Sequence, residues 1–348
     1  MAEFNLLKEI TGAPGAPGFE QPIRALLTQL LTPQVDQLTT DAMGNLIGFI
    51  GGKTDKKLML TAHMDEIGFI VQHIDEDGFI RFLPLGGFDP KTLTAQRVWI
   101  HGKKDIQGVM GSKPIHAMNQ EERVKAPALK DYYIDTGYAK NELAEWIQIG
   151  DPITRERDMI KMGKCFNSKS LDNRISVYVL VEVLKRLKIR RPEVGIYGVF
   201  TVQEEVGRRG SQIAATSIAP DFAINLDTTI AYDVPGAQSH EVVTRLGHGV
   251  AIKLYDTSVI PDYRMVRFLK QVAHQHKIRW QAELMTGGGT DTASVQRAGN
   301  GTIAGAISIP TRHLHQVTEM VHEEDVDGAI DLLEHAIREI HHYSFDFK

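Results

Sequence analysis

Two adjacent carboxylates, Glu204 and Glu205, stand in Thr201-Val202-Gln203-Glu204-Glu205-Val206-Gly207, directly after an apolar run. At comparable breaks elsewhere the chain carries His63 in Ala62-His63-Met64-Asp65-Glu66, Asp172 in Leu171-Asp172-Asn173-Arg174, Asp227 in Asn225-Leu226-Asp227-Thr228 and His315 in Arg312-His313-Leu314-His315. Imidazole and carboxylate together, without thiolate, suit zinc, cobalt or manganese. Asp172, Glu205, Asp227 and one hydroxide would balance two divalent cations, whereas the same carboxylates buried unpaired would be too costly. A pair of such ions about 3.5–4 Å apart shares a water whose pKa falls toward ~7 and stabilises the oxyanion of an attacked carbonyl. The chemistry that these residues suggest is hydrolysis at a two-metal site.

Neighbours on an extended segment point in opposite directions, so Glu204 and Glu205 divide naturally into one ligand and one base. A free carboxylate beside the attacking water can move its proton to a leaving amine, a contribution of roughly 10²–10⁴ in rate. Asp65, two residues after His63, lies on the same face if the strand continues, and there it would orient the imidazole. Asp172 stands where a helix begins, so a structural capping role is its competing reading. His313 competes with His315 as a ligand. His101, His240 and the pair His341-His342 read as surface or helix-flanking residues, and Thr290 with Asp291 reads equally well as a tight turn.

The elements that must position these residues alternate in type. Lys57 to Ala62 is a short apolar strand leading into His63. From Asp172 onward the pattern gives a helix over 174–187, strands over 195–202 and 222–226, a helix near 262–276, strands near 278–284 and 303–309, and a last helix over 324–341 opened by Glu323, Glu324 and Asp325. Such alternation predicts an α/β sheet, with functional groups just beyond the carboxyl ends of its strands. Residues 67–162 differ. Hairpin-like alternation in 68–72 and 79–83, and strand-like pieces at 97–101, 106–110, 132–135 and 146–149, predict a β-rich insertion between residues 1–66 and 163–348. The polar stretch 113–130 inside it reads as a mobile loop.

The chain has 348 residues, enough for two domains, with an apolar share of 42% and a charged share of 24%. Lysine and arginine number 39 against 44 acidic residues, a net charge of -5 that offers no basic footprint for nucleic acid or an anionic membrane. Cys165 is the single cysteine, which excludes an internal disulfide and a cysteine-based zinc site and fits a reducing, cytoplasmic setting. No apolar run approaches the ~20 residues of a membrane helix, and the first residues do not read as a secretion signal. A small substrate is the expectation.

Together these residues resemble the dinuclear-metal aminopeptidases of tetrahedral assembly, the glutamyl aminopeptidase-like or deblocking aminopeptidases, over essentially the whole chain. The family's Gly-Thr-Asp turn has its counterpart in Gly288-Gly289-Thr290-Asp291, and its arginine-x-x-histidine element in Arg312 to His315. The resemblance implies a mixed-sheet zinc-peptidase-like domain with two divalent ions, zinc, cobalt or manganese. Asp172 would bridge them, His63 and Asp227 would complete one, Glu205 and His315 (rather than His313) the other, and Glu204 would be the general base. It further implies that the insertion is a PDZ-like module that dimerises, that dimers build a hollow tetrahedral dodecamer, and that substrates are peptides. Phe79 to Leu83, on a free edge, would be an aggregation liability that a subunit contact could cover.

Three alternatives stand beside this. A zinc carboxypeptidase or aminoacylase-type deacylase uses a similar ligand series, but there a lid domain follows the fourth ligand, whereas here the insertion falls between His63 and Asp172. An endoglucanase, a label that relatives have carried, needs two carboxyl groups about 5–9.5 Å apart across a sugar and gives paired histidines no role. A degenerate, non-catalytic assembly protein would not keep all five ligands and the base. Preference for an acidic N-terminal residue would call for a cation in the pocket, with Arg245 and Arg312 as candidates.

Overall fold

The computed structural model describes residues 3–347. Strands in chain order are β1 Gln37–Thr40, β2 Leu46–Ile50, β3 Lys57–His63, β4 Gly68–Ile74, β5 Ile80–Leu85, β6 Arg97–His101, β7 Asp105–Ser112, β8 Tyr132–Asp135, β9 Pro152–Arg155, β10 Ile160–Met162, β11 Cys165–Ser168, β12 Gly195–Thr201, β13 Phe222–Ile230, β14 Val250–Tyr255, β15 Trp280–Leu284, β16 Ile303–Thr311 and β17 Glu319–His322. They form an eight-stranded sheet in the order β1-β2-β12-β3-β13-β16-β14-β15, a three-stranded sheet β10-β11-β17, and a closed barrel β4-β5-β8-β7-β6-β9. The result is a mixed α/β fold with several sheets.

At the centre of the large sheet β12, β3, β13 and β16 run parallel, so their carboxyl ends share one edge. These strands are apolar on both faces because helices cover both. Leu58, Leu60 and Ala62 of β3 join the larger core on one face, while Met59 joins Val199, Ala214, Ala215, Ala223 and Val295 on the other. The first face is covered by the helix Leu171–Ile189, packed on β3 and β13 and flanked by helices Phe4–Gly12 and Glu323–Glu339. Helices Arg209–Ile218 and Asp291–Gln296 cover the second. Leu171–Ile189 is buried on every side from Leu171 to Val181, which explains why its sequence shows no amphipathic stripe.

The barrel strands all lie between Gly68 and Arg155. Their inward residues alternate with outward ones, and Phe69, Val71, Ile80, Phe82, Val98, Ile100, Ile134 and Ile153 fill the interior. Closure is partial at β5: it is hydrogen-bonded to β4 from Ile80 to Leu85 but to β8 only at Ile80–Ile134, so most of 79–83 has no strand partner on that side. Trp146–Ile149 is not a strand. It follows the helix Lys140–Leu143, and the sixth barrel strand is β9. Within 113–130, Gln120–Val124 is a short helix whose capping box pairs Asn119 with Glu122.

Candidate metal centre

Three strand ends and the interior of β13 deliver the candidate residues to one edge. His63 closes β3 and pairs in register with Thr201, the last residue of β12. Asn225 pairs with Thr61, so Asp227 and His63, each two residues further along, sit side by side on the same face. Asp227 lies inside β13, which runs on to Ile230 rather than stopping at Leu226. Glu204 and Glu205 follow β12, and His315 follows β16.

Asp172 enters from beneath. It stands in the first turn of Leu171–Ile189 with extended backbone angles (φ -78, ψ 108), after Ser170 in the left-handed region and before a cis Asp172–Asn173 peptide. Its carboxylate does not cap the helix. One oxygen lies 3.3 Å from His63 Nε2 and the other 3.3 Å from His315 Nε2. His63 Nε2 is 3.7 Å from Asp227 Oδ1, and His315 Nε2 is 3.5 Å from Glu205 Oε2. The five predicted ligands therefore form two triads, His63-Asp172-Asp227 and Asp172-Glu205-His315, that share Asp172. His313 is exposed and stands in neither.

The second nitrogen of each imidazole is engaged elsewhere, which leaves Nε2 for the cluster. His63 Nδ1–H donates to the Asp65 carbonyl at 3.2 Å and lies 3.4 Å from the Asp65 carboxylate. That carboxylate also accepts from the backbone N–H groups of Glu204 and Glu205, both at 3.1 Å. Asp65 thus fixes one histidine and the acidic pair together. His315 Nδ1–H donates to the carbonyl of Gly87, in the chain that follows β5, at 3.0 Å. Arg155 of β9, itself buried, donates to the His315 carbonyl at 3.2 Å. The barrel thereby contributes two contacts to the site.

Four buried acids outside the predicted set complete the frame. Glu319 accepts from the N–H of Asp172 at 2.9 Å and of His315 at 2.8 Å, one oxygen each. Glu20 accepts from Gln203 N at 3.2 Å. Glu66 takes both oxygens to Lys169 Nζ and one to Ser170 Oγ, pinning the left-handed residue before Asp172. Asp291, read above equally as part of a tight turn, is buried and accepts from Thr201 Oγ at 2.6 Å. Nothing in local sequence distinguishes Glu319 or Glu20 from surface glutamates, since their partners lie far along the chain.

The electrostatics are those of acids crowded into a dry place. Burial, together with Asp291, Asp227 and Glu205, lifts Glu204 well above the carboxylate range, against the pull of His63. Burial and Asp172 lift Glu205 to about 8, although His315 opposes them. Burial disfavours charge on His315, yet Glu205 and Asp172 outweigh it and raise the ring to about 10. Among the described residues, no lysine or arginine side chain hydrogen-bonds to Asp172, Glu204, Glu205 or Asp227. Buried Asp172 Oδ1 and Glu205 Oε1 have no hydrogen-bond donor at all. Carboxylate oxygens left in this way are costly unless a cation faces them, and imidazole with carboxylate is the donor set that borderline divalent ions take. The residues fit divalent metal ions of that kind.

A mixed α/β sheet with twin metal-type triads at its carboxyl edge is the architecture of a metallohydrolase. The chain belongs to the M42 glutamyl aminopeptidase family, whose pattern matches residues 44–332, and it is accordingly a metal-dependent aminopeptidase, a peptide hydrolase. It is 32% identical to the lysyl aminopeptidase of Pyrococcus furiosus over 98% of both chains. An aminopeptidase of the archaeon Desulfurococcus kamchatkensis superposes with a TM-score of 0.92 at 37% identity, covering 96% of this chain and 94% of that one. The TET1 peptidase of Pyrococcus horikoshii, described as assembling into a tetrahedron or a large octahedral shell, gives 0.87 at 30% identity, covering 96% and 99%.

Proposed function

We propose that the protein removes N-terminal residues from peptides at a dinuclear centre, with His63, Asp172 and Asp227 holding one divalent ion and Asp172, Glu205 and His315 the other. The observation that carries this is the shared Asp172, whose two oxygens face different histidines at 3.3 Å each. Divalent ions held there would polarise the scissile carbonyl and lower the pKa of a bound water. Glu204, beside the cluster but outside both triads, is the general base. It takes the proton as water oxygen bonds to the carbonyl carbon, then delivers it to the departing nitrogen as the C–N bond breaks. Asp65 positions His63 and the Glu204-Glu205 backbone.

We read residues 1–66 and 163–348 as the catalytic unit and 67–162 as an inserted unit with a role in assembly. Its place between His63 and Asp172 favours the aminopeptidase over the deacylase reading. The test of the mechanism is Glu204→Gln. Metal content should stay at the wild-type value while turnover of an aminoacyl-anilide falls by about 10² or more. Wild-type turnover in that variant would remove Glu204 from the chemistry, and loss of metal would make it a ligand.

A further inference from the structure

Outside the catalytic cluster, the described residues bring one more set of metal-type side chains together. His276, His335 and Glu339 are half-buried, and each offers a ligand atom within 4.8 Å of the others. His335 and Glu339 are four residues apart on the helix Glu323–Glu339, and that spacing puts them on one helix face. His276 caps the carboxyl end of the helix Tyr263–Gln275, and its Nε2 contacts Glu339 Oε1. The two imidazoles stack with ring centres 3.6 Å apart and planes 17° apart. Two helix ends thus meet through three groups that are all lone-pair donors when the rings are neutral.

We propose that His276, His335 and Glu339 form a metal site separate from the catalytic cluster, which takes zinc or another late first-row divalent cation and clips the two helices together. Two imidazoles and one carboxylate are a borderline donor set, matched to tetrahedral zinc with water as the fourth ligand and ill suited to calcium or magnesium. An imidazole lone pair lies in its ring plane, so the stacked rings must turn about their side-chain bonds to share one ion, and their half-exposed positions leave room for it. The helix Glu323–Glu339 continues directly from β17, whose Glu319 holds the backbone of Asp172 and His315. The clip would therefore brace the element behind the catalytic cluster without entering it.

The test compares wild type with His276→Ala, His335→Ala and Glu339→Gln, each dialysed against micromolar zinc and assayed for bound metal per chain. Each alanine variant should hold one ion fewer than wild type, whatever number the catalytic cluster holds, so the outcome does not depend on the dinuclear reading. Glu339→Gln, which keeps the side-chain shape and the fold, should bind the extra ion about tenfold or more weakly. Peptide turnover at saturating metal should stay within about twofold, and zinc should raise the melting temperature of wild type a few degrees more than that of His335→Ala. Equal metal content in wild type and His335→Ala, or in wild type and Glu339→Gln at limiting zinc, overturns the proposal.

Discussion

At the scale of single residues, each imidazole of the cluster is oriented by what its other nitrogen meets: Asp65 for His63, Gly87 for His315. Asp65 was legible because His-x-Asp is a local spacing, although β3 ends at His63 and does not continue to it. Gly87 was not, because a backbone carbonyl carries no sequence signal. Glu20 is illegible for a similar reason, yet it makes a testable contribution. Burial, reinforced by Asp65, raises its carboxyl to about 7 from an ordinary 4.5, so the folded chain holds this proton more tightly than the unfolded one. Stability from Glu20 is therefore present below about pH 4.5 and is lost as pH rises through 7. Glu20→Gln keeps an acceptor for Gly18 and Gln203 but cannot titrate. Between pH 5 and pH 8 the stability of wild type relative to the variant should fall by about 2 kcal/mol, read by denaturant unfolding at each pH. Parallel stability profiles would show that Glu20 titrates normally.

At the scale of elements, the central strands were readable because each is a short apolar run ending at a chemical residue, and parallel burial makes such runs conspicuous. β14 escaped the same reading. Its interior carries Lys253, a residue that argues against burial unless its partner is known. That partner is Glu283, which faces Lys253 across the parallel β14–β15 register. Asp256 approaches the same ammonium at 3.1 Å, and all three side chains are fully buried. Removing the cation leaves two carboxylates facing each other without solvent, so Lys253→Met should cost about 3–5 kcal/mol, whereas replacing the pair together as Lys253→Met/Glu283→Leu should recover part of it. Chemical denaturation of the two variants decides this. A cost below 1 kcal/mol for the single change would mean that water reaches the triad.

At the scale of the whole molecule, the barrel is attached twice to the chemistry, through Gly87 and through Arg155, so it cannot move freely without disturbing His315. Its outer wall carries several exposed apolar side chains. Trp99 of β6 and Val109 of β7 are exposed on one face, and Leu83, Ile115 and Val124 are exposed elsewhere on the insertion. These exposed side chains offer surface for association, beside the side of β5 that meets β8 only at Ile80–Ile134. One solved TET structure is a dodecamer; a dodecamer of chains of 38.8 kDa weighs about 470 kDa and has closed point-group symmetry. Light scattering on the purified protein should return that mass, and Trp99→Glu/Val109→Glu, on a face remote from every ligand in sequence, should lower it while cleavage of a dipeptide substrate persists. A cavity bounded by subunits admits peptides and excludes folded proteins. The dissociated variant should therefore begin to trim the accessible N-terminus of a folded substrate that the wild-type assembly leaves intact. A wild-type mass of one chain, or trimming of folded substrate by the intact assembly, would remove enclosure from the account and leave selectivity to the pocket alone.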